Sequence, residues 1–94
     1  MAGKLAAAEV AARTERLDGW TADGDREIVR TFRFLDHSQA MGFVVRVALA
    51  AEAMNHHPDL RIVYNRVEIR LSTHDAGGVT ESDFKLAGQI DGFA

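Results

Sequence analysis

The spacing of apolar positions along the chain changes repeatedly, and each change marks an element. Residues 4–16 are strong helix formers, and Leu5, Ala8 and Ala12 fall on one side, which predicts a helix. The stretch DGWTADGD (18–25) is rich in turn residues, with Gly19 and Gly24 around a short candidate strand at Trp20. Residues 27–35, EIVRTFRFL, are β-branched and aromatic, with Ile28, Phe32 and Phe34 on one side at period two, so a strand is predicted. At 38–55 the period lengthens. Met41, Val44, Val45, Ala48 and Leu49 recur at helical spacing, and Val47 and Ala51 widen the apolar side. Ser38 or Asp36 can cap this helix by accepting orphan backbone N–H bonds. Pro58 favours extended geometry at His57, so the helix should stop around Asn55 or His56.

Residues 60–72 alternate again. Val63, Val67, Ile69 and Leu71 are assigned to one face, and Tyr64, Arg66, Glu68 and Arg70 to the other. No glycine divides the run, so Asn65 and Arg66 read as a kink or bulge. The loop THDAGG follows, and a final helix starts at Thr80, with Asp83 three positions on as in a capping box. The terminal GFA is expected to fray. Strands and helices interspersed in a short chain predict an α+β fold: a small antiparallel sheet of about four strands with helices packed on one face. The length allows one domain over 1–94.

Composition narrows the function classes. The formal charge is −3, with eleven Lys and Arg residues dispersed along the chain, which argues against direct nucleic-acid binding. The absence of cysteine removes thiol catalysis and thiolate metal sites and fits a reducing cytoplasm. No apolar run is long enough to span a membrane. The Ala-rich opening is interrupted by Glu9 and Glu15 and reads as a helix, not a signal peptide.

The candidate chemistry lies in EAMNHHP and the residues after it. His56 and His57 adjoin at a helix end, Glu52 precedes His56 by one turn, and His74 and Asp83 follow. By helical geometry the paired rings at this helix end project about 100° apart and can serve two positions around one ligand. Three uses are open. The histidines can interact with the helix dipole, transfer protons near neutral pH, or bind a metal, with Glu52, His56 and His74 as ligands. The metal signal is weak, because no H-E-x-x-H and no cysteine accompany it. Asp83 can orient a histidine by accepting its N–H, and Trp20 and Tyr64 are the two large amphipathic aromatics.

The run EAMNHHPDLRIVYNRVEIRLSTHDAGGVTESD resembles the signature of the pterin-4a-carbinolamine dehydratase family. That signature has an acidic residue, three positions, His-His-Pro, an aromatic, a later His and a final Asp. Glu52, His56, His57, Pro58, Tyr64, His74 and Asp83 supply it in order. With Trp20 and the preceding FRFLDHSQAMGFVVRVALAAE, the likeness covers nearly the whole chain. His37 stands where many members carry an aromatic and Leu60 where some do, and this puts only local packing in doubt.

The resemblance implies a hydro-lyase that removes water from a 4a-hydroxytetrahydropterin to give the quinonoid dihydropterin, in support of pterin cofactor recycling. His56, His57 and His74 would be catalytic, with His56 and His74 as acids near the departing hydroxyl and His57 as base. Glu52, Pro58, Asp83 and Trp20 would bind or orient. The resemblance implies no metal, no cofactor and a homo-oligomer, dimer or tetramer. An apolar spread wider than one sheet can cover independently predicts that helix 38–55 lies at a subunit interface. The alternative is a non-catalytic dimerisation or assembly cofactor for a protein partner, since a fold does not fix a function.

Overall fold

The computed structural model describes residues 3–94; Met1 and Ala2 of the domain expected over 1–94 lie outside the described residues. Helix α1 (Ala7–Glu15) is followed by β1 (Thr21–Asp23), β2 (Glu27–Arg33), α2 (His37–Met54), β3 (Asp59–Val63) and β4 (Arg66–Leu71). A 3-10 turn at His74–Ala76 then leads to α3 (Glu81–Phe93). The strands form one antiparallel sheet in the order β1-β2-β4-β3, so the fold is α+β with an open four-stranded sheet and three helices. Ile28, Phe32, Val67, Ile69 and Leu71 on one sheet face share a buried cluster with Phe43, Val47 and Ala51 of α2 and Leu86 and Ile90 of α3. The opposite face, carrying Thr31, Arg33, Arg66 and Arg70, is exposed.

The run 60–72 is not one kinked strand. Tyr64 adopts a left-handed conformation (φ 51°) and reverses the chain, so β3 and β4 pair as a hairpin with Val63 opposite Arg66. Asn65 anchors the turn to the end of β2: its carbonyl accepts the Phe34 N–H, and its side-chain amide donates to the Phe34 carbonyl, both at 2.9 Å. The turn also moves Val63. It leaves the face of Val67 and is exposed, and Ile62 takes the core-side position opposite Val67.

Helix α2 begins as expected at one of its two candidate caps, since the Asp36 side chain accepts the Gln39 N–H at 2.9 Å. Its buried stripe is Ala40, Phe43, Val47 and Ala51, whereas Met41, Val45, Ala48 and Leu49 of the expected apolar face are exposed. The aromatic ring decides the rotation. Phe43 stacks on Phe32 and Phe34 with centroids 4.8 and 4.9 Å away, each such pair contributing about 0.5–1.5 kcal/mol beyond buried area.

Helix α1 is likewise rotated from the expected face. Val10 and Thr14 are buried and Ala8 and Ala12 exposed, because Val10 offers more apolar surface than any alanine. Arg13 places its guanidinium 4.5 Å from the Phe84 ring centroid and donates to both Glu81 oxygens (2.6 and 2.8 Å). This hydrogen bonding holds the Glu81 carboxyl below its ordinary pKa. At the other terminus, Gly92 and Phe93 are helical instead of frayed, because Phe93 packs partly against the core.

Candidate active site

Hairpin topology assembles the site. Asp59 opens β3 opposite Arg70, one residue before β4 ends, so the chain just before β3 and the chain just after β4 meet at one end of the sheet. Asn55, His56 and His57 from the first segment and Ser72, Thr73, His74 and Asp75 from the second line a cleft of about 230 Å³. His56 and His74, eighteen positions apart in sequence, therefore face one space.

The first segment departs from helical geometry before the histidines begin. Asn55 is left-handed (φ 51°, ψ 43°), the Asn55 N–H donates to the Glu52 carbonyl (3.1 Å), and the His56 N–H donates to the Ala51 carbonyl (3.0 Å). These two bonds form a Schellman termination, with asparagine in the position glycine usually fills. The paired histidines thus lie beyond the helix, and the 100° expected from helical spacing does not apply to them.

His56 is the more enclosed of the pair. Its Nε2 lies 2.5 Å from Oδ1 of the fully buried Asp83. Asp83 can be buried because its other oxygen is also satisfied: Oδ2 accepts from the Thr73 hydroxyl (2.8 Å) and the Thr80 N–H (2.9 Å). His57 is exposed, with Nε2 2.7 Å from Oε1 of Glu52, itself largely exposed. Water competes for both groups, so this contact orients the ring more than it stabilises the fold. No described residue hydrogen-bonds the His74 ring.

The loop carrying His74 is tightly held. Thr73 and Gly78 exchange backbone bonds at 2.9 and 3.3 Å, the Val79 N–H donates to the Asp25 carbonyl, and the Leu5 N–H donates to the Val79 carbonyl (2.8 Å each). A side chain at Gly78 would place its Cβ 2.4 Å from the Asp25 carbonyl oxygen, so only glycine permits this approach. Lys4 hydrogen-bonds the Asp25 side chain at 3.0 Å and lowers its carboxyl pKa.

Two residues expected at the site stand apart from the cleft. Trp20 is buried elsewhere. Its indole N–H lies 2.9 and 3.1 Å from the two Asp91 oxygens, its ring meets Phe32 edge-on, and Arg30 donates to the same carboxylate (2.9 Å). The sole indole N–H is thereby occupied, and Trp20 ties α3 to the sheet without lining the cleft. Pro58 follows His57 at the entry to β3 and is not a lining residue. Asn55, Ser72, Thr73 and Asp75 also line the cleft, although no motif in the sequence marks them. Adjacency to His56 and His74 was the one signal they offered. A second concavity, on the bare sheet face between Thr31, Arg61, Val63, Arg66 and Glu68, holds no histidine.

Among the described residues no three or more His, Cys, Asp or Glu side chains are grouped to hold a metal ion. No helix among them is long and apolar enough to cross a membrane.

Comparison with known proteins gives a consistent picture. The family profile described as pterin 4 alpha carbinolamine dehydratase matches residues 3–93. A Burkholderia orbicola protein provisionally named pterin-4-alpha-carbinolamine dehydratase is 52% identical over 95 residues, covering 100% of this chain and 93% of that protein. A Chloroflexus aggregans protein with the same provisional name is 50% identical over 88 residues, covering 94% of each. The crystal structure of a transcriptional coactivator/pterin dehydratase from Brucella melitensis matches with a TM-score of 0.92 at 42% identity, covering 98% of this chain and 99% of that one. A pterin dehydratase-like protein identified as a RuBisCO assembly factor in the alpha-carboxysome shares the fold, with a TM-score of 0.69 at 23% identity over 81% of this chain and 89% of its own.

Proposed function

The chain belongs to the pterin 4 alpha carbinolamine dehydratase family, and from that premise we propose that it removes water from 4a-hydroxytetrahydropterin to give the quinonoid dihydropterin. It would act in the cytoplasm as part of pterin cofactor recycling. The single observation that carries this reading is the convergence of His56, His57 and His74 on one cleft, with Asp83 and Glu52 in contact with two of the rings.

The chemistry asks for proton transfers. The C4a–O bond breaks, the N5–H bond breaks, and C4a=N5 forms. Hydroxide leaves poorly, so the oxygen must receive a proton as the bond breaks, while N5 gives one up. Imidazolium supplies the first proton and neutral imidazole accepts the second, and such groups change state near neutral pH. His56 and His74 are assigned to the departing hydroxyl. His57, with Glu52 on its Nε2, is assigned to the N5 proton.

Binding can be read directly. Titration with 7,8-dihydropterin, which has no leaving group at C4a, should shift the imidazole resonances of His56, His57 and His74. His37 is an internal control. It stands at the far end of an 18-residue helix about 27 Å long, its Nδ1 2.7 Å from the Tyr64 carbonyl. Shifts confined to His37, or none at millimolar ligand, would refute the site. Turnover should also survive exhaustive chelation, and a dependence of the rate on restored zinc would overturn the metal-free assignment.

A further inference from the structure

The hydrogen bonds beneath His56 have a direction, and that direction ends at His56 Nε2. As a carboxylate, Asp83 accepts only, so the Thr73 hydroxyl must spend its one proton on Oδ2, 2.8 Å away. The Thr73 and Thr80 hydroxyl oxygens lie 2.7 Å apart, and with Thr73 already committed, Thr80 is the donor between them. The Thr80 N–H also donates to Oδ2 at 2.9 Å. Two donors thus converge on Oδ2 and fix the plane of the carboxylate, and Oδ1 is left to His56 Nε2 at 2.5 Å. Most of this is enclosed: Thr80 and Asp83 have no exposed surface and the His56 side chain is 13% exposed, while Thr73 is half-buried at the wall of the cleft.

We infer that Thr73 is a positioning residue: it fixes the plane of Asp83, the acceptor that keeps the neutral His56 as the Nε2–H tautomer, and so aims Nδ1 as the nitrogen that exchanges a proton with substrate. The consequence for chemistry rests on the reading of His56 given above. When His56 acts as acid, the proton leaves from Nδ1, and the N–H on Asp83 remains in place before and after transfer. A ring free to hold its proton on either nitrogen would spend part of its time with the lone pair directed at Asp83, in a form that neither binds well nor transfers usefully. Partners that orient a functional imidazole through its second nitrogen typically alter its activity by about 10–100-fold.

Nitrogen-15 imidazole spectra of the full chain test this, recorded at a pH where His56 is neutral. The wild type should show protonation at Nε2. Thr73→Val keeps the shape but removes a donor that fixes the plane of Asp83, and it should shift the Nε2–H resonance of His56 and lower kcat about tenfold with KM little changed. Thr73→Ser restores the hydroxyl and should restore both readouts. A wild-type spectrum with the proton on Nδ1 would overturn the inference without any variant. An unchanged Nε2–H resonance in a folded Thr73→Val protein would overturn it equally. A resonance that shifts while turnover does not would uphold the role of Thr73 and instead remove His56 from the proposed reaction, so the two claims fail separately.

Discussion

Replacing His56 by alanine should lower the dehydration rate by about 10²–10⁴-fold, the range over which a positioned proton-transfer group acts. It should also destabilise the protein, which His74→Ala should not. The reason lies in what each ring touches. His56 contacts a fully buried carboxylate, and its removal forfeits a hydrogen bond to a charged group, a loss of about 1.5–3 kcal/mol. In a domain of this size that corresponds to a fall in Tm of roughly 10 °C. His74 is exposed and hydrogen-bonded by no described residue, so its loss should leave Tm within a few degrees while the rate falls by a similar factor. Stopped-flow rates set beside thermal unfolding curves separate the two. Equal Tm losses for both variants would show that the cleft is held together differently from this description.

Val45→Glu should convert an oligomer into a monomer. Rotation of α2 onto Phe43 turns Met41, Val45 and Leu49 outward, 37%, 54% and 68% exposed, as a stripe along the side away from the sheet. Leu35 and Tyr64 are also exposed. Soluble proteins seldom leave an apolar patch of this kind uncovered, and pairing two copies about a symmetry axis covers both at once. A glutamate at Val45 would then place an unpaired charge in the contact of every copy, at a cost that exceeds what a few half-exposed aliphatic side chains contribute. Light scattering at micromolar concentration reads the outcome directly. A wild type that is monomeric and well folded there would rule the interface out.

Much of this organisation was legible in the sequence, and the misreadings have physical causes. The capping pattern from Thr80 to Asp83 places Asp83 at the start of α3, where its Oδ2 caps the helix and its Oδ1 meets His56. The same pattern says nothing of Thr73, whose part depends on the loop doubling back at Gly78. The hairpin turn was hidden because Tyr64 takes a left-handed conformation that glycine or asparagine usually marks. That misreading matters for function. One continuous strand over 60–72 would extend roughly 40 Å at about 3.3 Å per residue and hold His57 and His74 far apart. Nearly the whole circumference of α2 is apolar, so spacing alone cannot say which stripe meets the sheet. The contact of Trp20 with Asp91, 71 positions away, is not legible from the residues around either.

The central claim is that three histidines in one cleft dehydrate a hydroxylated pterin, and the most direct measurement is the rate of loss of 4a-hydroxytetrahydropterin with purified protein. First-order loss well above the buffer rate is expected, proportional to protein concentration and returned close to the buffer rate by His74→Ala in a protein that remains folded. Loss at the buffer rate in the presence of micromolar, fully folded wild type would contradict it, and would leave the exposed faces of α2 and the sheet, with a protein partner, as the place to look for function.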